Sequence, residues 1–203
     1  MWQFPKHLEK YKVGVPEGKS GDWKITKFVV SDEESKWDRV RGTFKPGHRF
    51  CYPGNYTRLS YKGHVIMSDT ADEIQDHYPL FWNSKGKVLL NGLGLGVALQ
   101  GVLLHPQVEF VTVIEISQDV VDLTKDYHEA LFPGRFEIIV ADALEYKPPK
   151  GVRYNTVWHD IWPTICSDNL EEMKHLHRKY GRKTDWQASW GRELCEYQGR
   201  IGY

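Results

Sequence analysis

The run KVLLNGLGLGVALQGVLLHP, Lys87 to Pro106, constrains the fold more than any other part of the chain. Its first residues are apolar enough for a strand buried on both faces. Three glycines two apart, Gly92, Gly94 and Gly96, then stop the strand, because glycine favours a tight turn and close backbone approach over continued pairing. The predicted unit is a strand, a glycine turn and a helix over roughly Val97 to Leu104. That helix turns free N–H groups and its positive dipole end towards whatever lies at the turn.

The same alternation continues downstream. Strand EFVTVIEI precedes a helix capped at Ser117 and running to about Leu131, and strand RFEIIVAD is followed by a loop and strand YNTVWHDI. Next comes a helix with a capping box of Asp168 and Glu171, which places Leu170, Met173, Leu176 and Tyr180 on one face and stops at Gly181. TDWQASW is the last strand candidate, with a short terminal helix after it. Such repetition predicts an α/β fold over residues 86–203: a Rossmann-like, doubly wound, mainly parallel sheet, reading as ending after its fifth strand.

Residues 1–85 read as a small α+β appendage, a lid or an oligomerisation element. DWKITKFVVS alternates like a half-buried strand, and Ser31 with Glu34 forms a capping box opening a short helix through Trp37 and Val40. FKPGHRFCYPGN is a loop, and YTRLSYKGHVIMSD is a hairpin around Lys62 and Gly63. Thr70 and Glu73 make a further capping box for the helix ADEIQDHY, which Pro79 helps to close.

Composition narrows the function classes. Lys and Arg number 27 and Asp and Glu 27, a formal net charge of zero, so no basic excess announces a nucleic-acid partner. The cations Arg178, Lys179, Arg182, Lys183, Arg192 and Arg200 read as helix-dipole compensation and solvation, with nucleic-acid contact the weaker alternative. Cys51, Cys166 and Cys195 make neither a disulfide framework nor a zinc knuckle, which suits reduced thiols in a cytoplasmic protein. His175 and His177 diverge on a helix, and no metal site is expected. No stretch approaches a signal peptide or a membrane span.

In an open α/β sheet the ligand lies outside the carboxyl ends of the strands. Four groups fall there: Asn91 to Gly96, Glu115 with Ile116, Asp142 with Ala143, and His159 with Asp160. The glycine spacing does not meet the dinucleotide fingerprint, since the sixth position is Val97 in one frame and Leu99 in the other. It suits a ligand whose carboxylate meets the turn, as the methionine end of S-adenosylmethionine would. Glu115 is placed to accept both ribose hydroxyls, and Asp142 to accept an adenine amino group while the Ala143 N–H faces a ring nitrogen. Taken singly these are an ordinary turn and ordinary strand-end charges; in succession they point to an adenosyl ligand. Asp160 is the expected base or orienting acceptor, with His159 the alternative proton carrier. Neighbours on a strand face opposite ways, so one of the two reaches the crevice. Trp162, with Trp186 and Trp190, offers a face to a planar substrate or else belongs to the core.

With those residues in view, Thr57 to Asp160 resembles the spermidine-synthase branch of the class I S-adenosylmethionine-dependent methyltransferase superfamily. The likeness runs through KVLLNGLGLGVALQGVLLHPQVEFVTVIEISQDVVDLTKDYH and VIMSDTADEIQDHYP. It implies that Gly92, Gly94, Gly96, Glu115, Asp142 and Ala143 contact an adenosyl ligand, that Gln75 matches a family glutamine, and that the protein pairs as a homodimer. Three positions depart from that branch: Leu95 replaces a turn aspartate, Ile74 a tyrosine, and Pro163 the second acid of the strand-end segment HDIWP. A dicationic diamine thereby loses counter-charges, and burying unpaired ammonium groups costs several kcal/mol. DIWP also shares a polar residue and an aromatic with the loop of amino-methyltransferases. The sequence reading is an S-adenosylmethionine-binding transferase, a small methyltransferase acting on a small-molecule nitrogen acceptor. Its alternatives are an aminopropyltransferase using the decarboxylated cofactor, a non-catalytic cofactor binder, and a cofactor-cleaving enzyme.

Overall fold

The computed structural model describes residues 3–43 and 48–201. Part of the predicted loop, including Pro46 and Gly47, lies outside them. A 3-10 turn, Lys6–Tyr11, leads into β1 (Gly18–Ser20), β2 (Trp23–Val30), helix α1 (Asp32–Gly42), β3 (Gly54–Tyr61) and β4 (His64–Ser68). The four strands form an antiparallel sheet in sequential order. The β3–β4 hairpin turns on Lys62 and Gly63, both at positive φ (48° and 85°), which suits the right-handed twist of its strands. At α1 the predicted capping box forms: the Glu34 N–H donates to Ser31 Oγ at 3.2 Å and the Ser31 N–H to Glu34 Oε2 at 2.8 Å.

Helices α2 (Ala71–Asp76) and α3 (Tyr78–Asn83) follow, and here two local expectations change. Thr70 makes no side-chain cap, its hydroxyl instead lying 3.2 Å from Ser68 Oγ. Pro79 does not close the first helix but stands in the first turn of the second, where its missing N–H costs nothing.

The second sheet contains β5 (Gly86–Asn91), β6 (Val108–Glu115), β7 (Phe136–Val140), β8 (Tyr154–His159) and β9 (Thr184–Ser189). Its order is β7-β6-β5-β8-β9, and every pairing is parallel. Between the strands lie α4 (Val97–Leu103), α5 (Gln118–Leu131) and α6 (Asn169–Tyr180), with α7 (Arg192–Ile201) after β9. The chain builds outward from β5 through β6 to β7, then returns to add β8 on the other flank. That reversal opens the crevice at the carboxyl ends of β5 and β8.

Strand parity divides the core. Val88 and Leu90 face a cluster with Val111 and Val113 beneath α4 and α5, while Leu89 and Val157 face Met173, Leu176 and Tyr180 of α6. Leu8, Ile25, Leu59 and Ile74 of the front segment join the first cluster, so residues before and after 85 bury one continuous apolar surface. Ser117 caps α5 as read from sequence, accepting from the Val120 N–H. Asp168 does not cap α6: its φ of −63° and ψ of −26° are already helical, whereas a capping side chain needs extended backbone. Among the described residues, no helix is long and apolar enough to cross a membrane.

Candidate active site

The glycine turn is shaped by what touches it. Gly92 has φ of 102°, and a Cβ there would overlap the carbonyl oxygen of Asp160, so the β5 turn and the end of β8 approach as closely as two main chains can. Gly94 has φ of 53°, and a Cβ there would overlap the sulfur of Met67. The turn's N–H groups tie it to the sheet, Gly92 donating to the Ile114 carbonyl at 2.8 Å and Leu93 to Glu115 Oε2 at 2.9 Å.

Glu115 is therefore held at both oxygens, since Oε1 accepts from the Ser117 N–H at 2.9 Å. Two fixed backbone donors keep this nearly buried carboxylate in one orientation and leave it further lone pairs towards the open side. Asp142 is fixed likewise, Oδ1 accepting from the Leu144 N–H at 2.8 Å. Above these strand ends lies a cavity of about 480 Å³. Gly92, Gly94, Glu115, Ile116, Asp142 and Ala143 line it, as do Asp160 and Trp162.

Four predicted residues lie elsewhere. His159 points to the opposite face, as strand parity requires of one member of the pair. Its ring is wholly buried, with Nδ1 2.7 Å from Asn91 Nδ2 and Nε2 3.2 Å from Gln187 Oε1. Burial pushes its pKa down to about 3. A neutral, enclosed imidazole outside the cavity is no proton carrier for it. Asn91 braces that ring rather than lining the cavity, and Gly96 packs against the His128 ring, whose Nε2 donates to the Leu95 carbonyl at 2.9 Å. Gln75 is exposed on α2 and does not reach the cavity.

The residues that do reach the cavity from here are Glu73 of α2 and His77, the residue that caps its end. Four apart, they share a helical face from which Gln75 is excluded. Sequence reasoning gave Glu73 to a cap and passed over His77; their i, i+4 spacing immediately ahead of the sheet was the available signal. Trp162 is a wall, packed in the second core cluster with its indole N–H donating to Glu172 Oε2 at 2.7 Å. Trp186 stacks on Trp158 inside the first cluster, whereas Trp190 lines the cavity and donates to Asp76 Oδ2 at 3.0 Å.

The lining is electrostatically one-sided. Glu73, Glu115, Asp142, Asp160 and Glu172 contribute to it, and among the described residues neither Lys nor Arg does. Burial, reinforced by the nearby Glu73 and Asp76, pushes the Asp160 carboxyl up to about 8. Burial likewise lifts Glu73 to about 7, opposed by Arg49 and reinforced by Asp76 and Asp72. Carboxyls held this close to neutrality hold protons that a cation would release. His77 Nε2 lies 3.9 Å from Asp160 Oδ2, and its burial lowers it to about 4, leaving a neutral ring beside the acids. Its Nδ1 is buried with no partner among the described residues.

No family model matches the chain. The polyamine aminopropyltransferase of Thermoanaerobacter sp. (strain X514) is 40% identical over 75 residues, 34% of this chain and 27% of the relative. The polyamine aminopropyltransferase of Hamiltonella defensa subsp. Acyrthosiphon pisum is 26% identical over 134 residues, 61% and 44% of the two chains. The chain thus spans less than half the length of these curated relatives. Among solved structures, a spermidine synthase in complex with the transition-state analogue AdoDATO has a TM-score of 0.49 at 19% identity, covering 81% of this chain and 52% of that one. Spermidine synthase from Thermotoga maritima gives 0.45 at 20%, covering 76% and 49%. The protein has a Rossmann-like α/β fold with an antiparallel front sheet, and it resembles the spermidine-synthase-like branch of the class I S-adenosylmethionine-dependent methyltransferase superfamily.

Proposed function

We propose that the protein is a transferase that takes an alkyl group from an adenosyl sulfonium and passes it to a small-molecule amine. The observation that carries this reading is the lining itself: among the described residues, five carboxyl side chains and no Lys or Arg surround a cavity of nucleoside size. Such a wall suits a positively charged donor and a positively charged or basic acceptor. The residues fit an adenosyl group at the ends of β5, β6 and β7. Gly92 and Gly94 let the turn lie close against the end of β8 and against Met67, Glu115 borders the cavity for the ribose hydroxyls, and Asp142 with the Ala143 N–H for an adenine edge.

When bound, the sulfonium supplies a carbon whose C–S bond breaks as a C–N bond forms, leaving a neutral thioether. What the chain contributes is position, charge and a base. Asp160, raised to about 8, accepts the proton that the acceptor nitrogen must lose. Glu73 stabilises the remaining positive charge of the acceptor. Trp162, Trp190 and the front-sheet residues Trp23 and Tyr61 keep water from the reacting groups.

The group transferred is methyl or aminopropyl. The departures at Leu95, Ile74 and Pro163 argued for methyl, by removing counter-charges for a diamine. Glu73 and Glu172 supply carboxylates at the same cavity from other positions, and the sequence relatives carry the aminopropyltransferase name. These two observations favour the aminopropyl reading. The test is incubation of the protein with each donor and a panel of mono- and diamines. Methylthioadenosine with an alkylated amine marks aminopropyl transfer, and S-adenosylhomocysteine marks methyl transfer. Methylthioadenosine without an alkylated amine marks cleavage, and no product from either donor overturns the proposal in favour of a binder.

A further inference from the structure

Strand β4 of the front sheet brings Met67 onto the glycine turn. The Leu95 N–H donates to Met67 Sδ at 3.2 Å, and the sulfur fills the space that a Gly94 side chain would need. Met67 also lines the cavity and packs against the first core cluster. Elsewhere in the turn, the N–H groups of Gly92, Leu93 and Gly96 go to the Ile114 carbonyl, Glu115 and the Leu93 carbonyl. The Leu95 donor, beside the cavity, is left with a thioether, one of the weakest acceptors in a protein. A ligand carboxylate would bind that donor far more strongly through a charge-assisted bond. To do so it would have to displace Met67 and then sit among carboxylates with no Lys or Arg among the described lining residues to balance it.

On the reading given under Proposed function, we infer that Met67 is a specificity-determining residue, closing the glycine turn to sulfonium donors that carry an α-carboxylate and admitting those whose tail ends in an ammonium group alone. Its flexible side chain forms an apolar wall for a short alkyl tail, and the acids beyond it receive the ammonium. The methyl donor carries the excluded carboxylate, and the aminopropyl donor lacks it. Selection therefore comes from a front-sheet residue overlying the turn, at a position where the turn's own residue, Leu95, bears no charge.

Calorimetric titration of the wild type, Met67→Ala and Met67→Val with three ligands tests this. Methylthioadenosine has no charged tail and reports the nucleoside site alone; the other two are S-adenosylmethionine and its decarboxylated form. Both substitutions shorten the side chain, and valine suits a strand should the alanine variant fail to fold. Wild type is expected to prefer the decarboxylated donor. In the variants S-adenosylmethionine binds about tenfold more tightly, as for one recovered charged hydrogen bond, while methylthioadenosine affinity stays within about twofold. An unchanged ratio of the two donors in a variant that still binds methylthioadenosine overturns the role of Met67 alone. If none of the three ligands binds wild type, the adenosyl reading falls with it.

Discussion

Asp160 leaves the end of β8 half-buried, and its folded-state pKa of about 8 lies far above the ordinary 3.8. The folded chain therefore holds a proton there that the unfolded chain has released, and stability declines as pH rises between those two values. Asp160→Asn removes the titration: thermal melts should coincide with wild type near pH 4 and lie higher than wild type above pH 8. The same substitution should lower kcat/KM about 100-fold or more and abolish its rise towards alkaline pH. Glu115→Gln tests the other end of the cavity. It keeps an oxygen for one backbone donor but loses the charge, and adenosyl affinity should fall about tenfold in titration. Glu115, Asp142 and Asp160 were legible because strand ends are legible, and an acid there faces the crevice whatever the details. His159 was not, because parity says only that one of two neighbours turns inward; the polar niche formed by Asn91 and Gln187 on the far side decides which. Gln75 failed for a related reason: the resemblance matched it by sequence, but the rotation of α2 presents Glu73 and His77.

At the scale of elements, the glycine turn holds β5 against β8 as well as bordering the cavity. Gly92→Ala forces a side chain against the Asp160 carbonyl at a φ that alanine resists. It should cost about 2 kcal/mol or more in chemical denaturation and shift the Asp160 main chain, reducing ligand affinity as well as stability. Strand and helix placement followed from periodicity, since buried parallel strands read as apolar runs and α5 and α6 carry clear apolar faces. The caps were less readable. The same motif, a small polar residue three before a glutamate, forms a full box at Ser31, whereas neither Thr70 nor Asp168 caps its helix through the side chain. At Thr70 a neighbouring hydroxyl competes for the side chain, and at Asp168 the backbone is already helical, neither of which a sequence motif records.

For the whole molecule, a formal charge of zero conceals a strongly acidic interior surface, because charge sums carry no information about where the charges meet. The front segment is equally hard to weigh from sequence: it reads as an appendage, yet Leu8, Ile25, Leu59 and Ile74 sit in the core that covers the sheet, and Glu73, His77 and Met67 complete the cavity. Residues 86–203 produced alone should therefore lose the cooperative thermal transition of the full chain, with circular dichroism retaining helix but showing no sharp midpoint. The central claim, an adenosyl group across the ends of β5, β6 and β7, is tested most directly by titrating the full chain with methylthioadenosine beside Glu115→Gln. Saturable binding is expected at one site per chain, weakened about tenfold in the variant. Absence of binding to wild type, or equal affinity in the two proteins, would contradict it.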